Sequence, residues 1–247
     1  MIIVSGEPRT GTSMMMTTLK VFGYNVVGIK DPIPYLEKSV NPTGTWEIPK
    51  IVRNGLTENI ANGKIPTILK EPIPKNAVVK LTTTALLRTE RSLIDRVIYM
   101  FRYPNDSIES QMRLSKKLKS NKQETYEQLY FNYNSIMSSF KHDYMQDVFL
   151  QDNIKFVSYD QIIANPLATL HIVYSTLMFL SLTDVPLACV GIPPEKVKQI
   201  LIEKQPISSS FKTVYNSLIK HRNIVSNEMM STAFTNFENL KRWSYLR

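Results

Sequence analysis

Apolar positions gather into four short runs along the first two-thirds of the chain: residues 2–5 (IIVS), 77–81 (AVVKL), 96–101 (RVIYMF) and 154–158 (IKFVS). The runs are continuous rather than alternating, which is the pattern of strands buried on both faces of a parallel sheet. Between them the spacing changes to a helical period near 12–22, 47–61, 84–92, 105–119 and 124–146. Alternating strand and helix predicts an α/β layer architecture, with a central parallel sheet of four or five strands flanked by helices. After residue 166 the strand pattern ends, and helices are predicted over 167–181, 194–203, 209–221 and 226–241. The expected organisation is one domain over 1–247, with an α/β core over 1–166 and a helical part over 167–247. The proline-rich stretch 66–76 (PTILKEPIPKN) reads as an irregular loop or lid, because each proline removes a backbone donor.

The first run leads directly into Gly6-Glu7-Pro8-Arg9-Thr10-Gly11-Thr12-Ser13 and then into a helix. Strand, glycine-bounded loop and helix N-terminus together make a phosphate grip. The spacing fits the Walker A pattern G-x-x-x-x-G-K-[ST], except that Thr12 stands where lysine belongs. An NTPase uses that lysine on the β- and γ-phosphates. A loop without it suits a nucleotide with a different reactive end. Gly6 and Gly11 permit tight turns, and amides at the helix start point at an anion. Thr12 and Ser13 add hydroxyl donors, and Arg9 adds a planar fork of them. A glycine turn with no ligand is the plain alternative; glycines, base and hydroxyls coinciding at one helix entry argue against it.

Two later segments carry further chemistry. Arg102-Tyr103-Pro104-Asn105-Asp106-Ser107-Ile108-Glu109-Ser110 follows the run RVIYMF, which puts Arg102 at the carboxyl end of a strand, where ligands of open α/β sheets bind. Pro104 suits a first helical turn. Ser110 falls on the same helix side as Asp106 and Ser107. An ordinary strand–helix junction with a surface arginine explains this segment equally well. Phe156-Val157-Ser158-Tyr159-Asp160, continuing to Asn165-Pro166, reads as a strand, a polar turn and a proline-started helix. Alone, its tyrosine is most simply a packing residue.

Composition limits the function classes without choosing one. With 30 Lys and Arg against 21 Asp and Glu, the net charge of +9 suits either a plain basic protein or a site for anionic ligands. A nucleic-acid reading needs a clustered basic face, and the densest cluster, Lys116, Lys117, Lys119 and Lys122, reads first as a solvated helix end. The single cysteine, Cys189, excludes an intrachain disulfide, and no Cys/His cluster has zinc spacing. Residues 167–182 are apolar but interrupted by His171, Tyr174, Ser175 and Thr176, and shorter than the ~20 residues of a membrane span. A core helix is expected there, with no integral membrane segment. The chain enters its first strand at once, leaving no room for a signal peptide, so a soluble, cytoplasmic protein is expected.

Taken together and in order, these segments resemble the sulfotransferase superfamily. Pro8-Arg9-Thr10-Gly11-Thr12-Ser13 fits that family's loop P-[KR]-[ST]-G-T-[ST], and Arg102, Pro104, Asp106 and Ser110 fit its R-x-P-x-D-x-x-x-S element. Tyr159-Asp160 through Asn165-Pro166 is similar to its third element. Asn41-Pro42-Thr43-Gly44-Thr45-Trp46-Glu47 and the lysine-ended strand Ala77–Lys80 look like the bacterial and phage branch, which carries a PRSGTS-type loop. The resemblance spans residues 2–170. It implies a three-layer, P-loop NTPase-like fold and 3′-phosphoadenosine 5′-phosphosulfate (PAPS) as sulfuryl donor, with 3′-phosphoadenosine 5′-phosphate (PAP) as product and no metal. It implies that Arg9, Thr10, Gly11, Thr12 and Ser13 hold the 5′-phosphosulfate end, that Arg102 and Ser110 take the 3′-phosphate, and that Tyr159 lies near the adenine. The acceptor would be a hydroxyl or amine on a small molecule, glycan or lipid, and no nucleic acid is implied.

The chain also departs from the family. The soluble animal and plant enzymes carry K-x-H with histidine as base; here the strand reads Lys80-Leu81-Thr82. His142, His171 and His221 all fall outside the motifs. Glu47 is the best remaining base, with Lys80 and Arg9 as its catalytic partners, although a helix first-turn glutamate is an equal reading of Glu47. Glu71 is second choice, and Lys70 replaces Lys80 if the lysine strand is misaligned. The family's C-terminal R-K-G-x-x-G-D-W segment is missing, with only Lys212 near Ser208–Ser210 as a substitute. Two alternatives stay open: a catalytically idle nucleotide-binding or scaffold protein on the same fold, and a P-loop small-molecule kinase.

Overall fold

The computed structural model describes residues 1–28, 46, 77–117, 124–164, 176, 179–180 and 225–245. Within them a five-stranded, wholly parallel sheet is built from β1 (Ile2–Gly6), β2 (Asn25–Val27), β3 (Ala77–Lys80), β4 (Arg96–Phe101) and β5 (Ile154–Ser158), in the order β2-β3-β1-β4-β5. This is the predicted α/β class. The four apolar runs form β1, β3, β4 and β5. Strand β2 was not foreseen, since three residues are too few to show a pattern.

Helices cover both faces, which is why the strands read as continuous apolar runs. On one face α1 (Thr12–Val21) packs Met15 and Leu19 with Ile2, Val4, Ile98 and Met100. On the other, α2 (Thr83–Arg88), α3 (Pro104–Lys117), α4 (Tyr126–Gln146) and α7 (Asn227–Tyr245) pack with Ile3, Val79, Tyr99, Phe101 and Phe156. Tyr99 stacks on Phe140 of α4 at 4.4 Å between centroids, and Trp243 of α7 closes on Tyr144 at 4.6 Å. Two short helices were not predicted: α5 (Val148–Asn153), and α6 (Tyr159–Ala164), which starts at the end of β5 where a turn was expected. The predicted helix 84–92 divides into α2 and a 3-10 turn at Arg91–Leu93. Of the four helices expected after residue 166, the last is α7. Those at 194–203 and 209–221 lie outside the described residues, as do 47–61 and the stretch 66–76. Thr176, Phe179 and Leu180 are all that is described of 167–181. No helix among the described residues is long and apolar enough to cross a membrane.

The start of α4 carries a reciprocal cap. Thr125 Oγ1 accepts from the Gln128 amide at 3.2 Å, and Gln128 Oε1 accepts from the Thr125 amide at 2.9 Å. Thr125→Ala leaves the Gln128 amide without its acceptor at the helix end. It is expected to cost about 1 kcal/mol of stability, read as a lower urea midpoint at unchanged slope.

Strand order places the site. From β1 the chain goes outward to β2 and back to β3, then crosses β1 to reach β4. The carboxyl end of β1 is therefore a point where the chain direction across the sheet reverses, the place where open parallel sheets bind ligands. The loop at residues 7–11 occupies it.

Candidate functional site

Close packing fixes the loop's two glycines. A Cβ on Gly6 would lie 2.2 Å from the carbonyl oxygen of Met100 in β4, and one on Gly11 would lie 2.4 Å from the Tyr159 ring. Gly11 has φ 94° and opens α1 with no side-chain cap. That leaves the helix N-terminus as the loop's polar face, built from backbone amides. Arg9 sits at φ 70°, a left-handed conformation that a side-chain-bearing residue adopts at a cost.

Thr10 shapes the loop from within. Its amide and hydroxyl both donate to the Glu7 carbonyl, at 3.3 and 2.7 Å. The N-terminal half of α3 holds the loop from outside: Ser107 Oγ and Gln111 Nε2 donate to the Pro8 carbonyl at 2.7 and 3.3 Å. Lys80, at the end of β3, reaches Ser13 with Nζ 3.4 Å from Oγ. The predicted loop residues and Lys80 thus meet at one end of the sheet. Thr82, in the histidine's place, caps α2 by accepting from the Ala85 amide at 3.4 Å.

The second segment converges on the first. Arg9 Nε donates to Ser110 Oγ at 3.0 Å, and an Arg102 terminal nitrogen lies 3.4 Å from the Arg9 carbonyl. As acceptor from Arg9, the Ser110 hydroxyl retains its own proton for a further acceptor. Arg102 is 5% exposed, with its guanidinium 4.8 Å from the centroid of the Tyr159 ring. Its Nε is 3.8 Å from Asp160 Oδ1, an ion-pair distance too long for a hydrogen bond, and this buried N–H has no hydrogen-bond acceptor among the described residues. Asp160 is committed elsewhere: Oδ2 accepts from the Tyr103 amide at 2.8 Å. Burial raises the Asp160 carboxyl to about 6, against the pull of that amide and of Arg102. Tyr159 lies between the helix start and Arg102, buried by both.

Sequence reading missed two charged groups here. Arg113 is one helical turn beyond Ser110 and exposed. Burial lowers the affinity of Arg9 for its proton, and the charges of Arg102 and Arg113 lower it further, Tyr159 opposing. Asp106 is raised by burial and pulled down by the same two arginines. Three guanidinium groups that repel one another, one with an orphaned buried N–H, fit an anionic ligand. The periodicity of α3 was the signal that could have found Arg113. The other missed group is Glu7, an acid inside a loop otherwise suited to anions.

Glu47, Glu71 and Lys70 lie outside the described residues, as do Asn165-Pro166, Lys212 and Ser208–Ser210. The neighbour of Glu47 is described: Trp46 is buried, with φ 54°, and its indole N–H donates to Thr17 of α1 at 2.8 Å. Thr17 is one turn past Ser13 on the same helix, and its hydroxyl donates to the Ser13 carbonyl at 3.1 Å. His142 is exposed on α4.

No protein-family model and no curated protein matches the chain. Solved structures with a similar backbone include retinol dehydratase in complex with androsterone and the inactive cofactor PAP, at 14% identity over 100% of this chain and 82% of that one, TM-score 0.47. A sulfotransferase from Mycobacterium tuberculosis H37Rv is 15% identical over 82% of this chain and 76% of its own, TM-score 0.45.

Proposed function

We propose that the protein is a PAPS-dependent sulfotransferase, moving a sulfuryl group to a hydroxyl or amine of a small-molecule, glycan or lipid acceptor. The observation that carries this reading is the junction of two anion-binding features through Arg9. Its backbone belongs to the loop at the start of α1, and its side chain rests on Ser110 beside the orphaned donor of Arg102. A nucleoside triphosphate has no need of the second feature. A nucleotide with phosphates at both 5′ and 3′ positions uses both.

In this reading the amides of Gly11, Thr12 and Ser13, with Arg9, hold the 5′ end. Thr10 keeps the loop in shape. Arg102 and Ser110 hold the 3′-phosphate, and Tyr159 borders the nucleoside. The donor supplies the activated sulfuryl group; the protein positions it and neutralises charge. Lys80, beside Ser13, and Arg9 stabilise the negative charge that grows on the leaving oxygen. Glu47 takes the acceptor's proton. Its choice as base is the positional one made from the sequence: no histidine falls in a motif, and Glu47 belongs to the one acceptor-side element that resembles the family.

The test is turnover of sulfur-labelled PAPS against a panel of hydroxyl and amine acceptors. Label transfer is expected with at least one acceptor. Lys80→Ala should lower turnover by about 10²-fold with donor affinity nearly intact, because its charge acts mainly on the leaving oxygen. PAP binding with no transfer to any acceptor would instead support the idle nucleotide-binding protein.

A further inference from the structure

Glu7 takes no part in the chemistry above, yet it belongs to the anion-binding loop. It follows Gly6 at the end of β1, and its backbone carbonyl holds both polar groups of Thr10. Its side chain is only 5% exposed and hydrogen-bonds to Thr83 in the first turn of α2. The Thr83 hydroxyl shares a 2.8 Å hydrogen bond with the Tyr99 phenol, whose oxygen also lies 3.5 Å from the sulfur of Met137. The loop is thus tied through a carboxyl group to a buried polar chain inside the sheet's apolar face.

The surroundings of that carboxyl offer little to balance a charge. The crevice around it receives Tyr99 and Arg102 from β4 and its end, Tyr133 and Met137 from α4, Thr10 from the loop and Leu240 from α7. Thr83 faces it from α2. Burial pushes the phenols of Tyr99 and Tyr133 upward, and a charge on Glu7 pushes them further, so both stay neutral. Among the described residues lining the crevice, Arg102 is the one formal cation, and it is turned to the Arg9 carbonyl and Asp160. Burial accordingly raises the Glu7 carboxyl to about 7, with the Thr83 hydrogen bond opposing. An ionised Glu7 would set a poorly screened negative charge in the crevice that Thr10 and Arg102 also line, within the same loop whose amides receive the ligand's negative charge. Ligand and proton therefore favour each other, and the coupling is reciprocal.

We propose that Glu7 makes anion binding at this loop proton-linked, so that the loop holds a phosphate-bearing nucleotide tightly when Glu7 is protonated and weakly when it is ionised. The proposal rests on the donor-nucleotide reading of the loop. Product release then accelerates as pH rises, and donor capture is favoured on the acid side. The buried hydrogen-bond chain itself needs no acid: glutamine can occupy the same place and bond to Thr83.

The test is calorimetric titration of PAP into the wild-type protein, Glu7→Gln and Glu7→Leu at about pH 6 and about pH 8.5, at constant ionic strength. PAP's own phosphates titrate identically in all three, so the ratio of affinities isolates Glu7. The expected result is similar affinity for wild type and Glu7→Gln at the lower pH and at least a tenfold advantage for Glu7→Gln at the higher. Paired buffers of different ionisation enthalpy should show proton uptake on binding to wild type near pH 7 beyond that seen with Glu7→Gln. Glu7→Leu carries the same comparison should the glutamine fail to fold. A wild-type to variant ratio that does not change with pH, without the additional proton uptake, overturns the proposal. Failure of PAP to bind the wild type at the lower pH overturns the donor reading, and this proposal with it.

Discussion

Glu7→Gln is expected to stabilise the folded protein by roughly 3 kcal/mol at about pH 8 and to change little near pH 4. The sign follows from the direction of the shift. Burial raises the folded carboxyl from 4.5 to about 7. Below the lower value the group is neutral in both folded and unfolded chains, and its contribution is fully present. As pH rises toward 7 the unfolded chain sheds the proton and the folded chain keeps it, so stability is lost at about 1.4 kcal/mol per pH unit. Above 7 the loss is complete. Glutamine does not titrate, so the gap between variant and wild type should open across this window. In melting temperature the full gap corresponds to roughly 6–12 °C for a chain of this size. A gap that is constant from acid to alkaline pH would mean that Glu7 is not held neutral by burial.

Arg9→Ala and Arg9→Gly are expected to lose roughly 10- to 150-fold in PAP affinity, and to differ from each other in stability. A charge-assisted contact contributes about 1.5–3 kcal/mol, and the tenfold step is about 1.4 kcal/mol. The stability difference comes from the backbone. At φ 70° a Cβ is strained and glycine is not, so Arg9→Gly should be more stable than Arg9→Ala by about 1 kcal/mol. Both variants also remove one member of a cluster of like charges. Equal affinity loss with unequal stability would assign binding to the side chain and strain to the loop. A loss confined to the alanine variant would assign the effect to backbone distortion instead.

The parallel sheet was legible because burial on both faces leaves a continuous apolar run, as at Val97–Phe101. Asn25–Val27 was not legible, because three residues carry no period. The start of α6 at Tyr159 depends on a tertiary contact: Asp160 faces the Tyr103 amide, 57 residues away, and no local pattern encodes that. The loop and the Arg102–Ser110 element were each readable from residue types at helix entries. Their junction was not, since the Arg9–Ser110 contact spans 101 residues. Glu7 was passed over because a glutamate in a polar loop reads as solvated; only the packing of α2, α4 and β4 around it makes it buried. Arg113 was passed over because an exposed helical arginine is ordinary until Arg9 and Arg102 are seen beside it.

The most direct measurement is the affinity of the wild-type protein and Arg102→Ala for PAP and for adenosine 5′-monophosphate, which lacks the 3′-phosphate. A donor site spanning the loop and the Arg102–Ser110 element predicts that the wild type binds PAP at least about tenfold more tightly than the monophosphate. It also predicts that this preference largely disappears in Arg102→Ala, with monophosphate affinity little changed. Equal affinity of the wild type for the two nucleotides, or equal losses for both in Arg102→Ala, would contradict a 3′-phosphate site at Arg102 and with it the assignment of a PAPS-type donor.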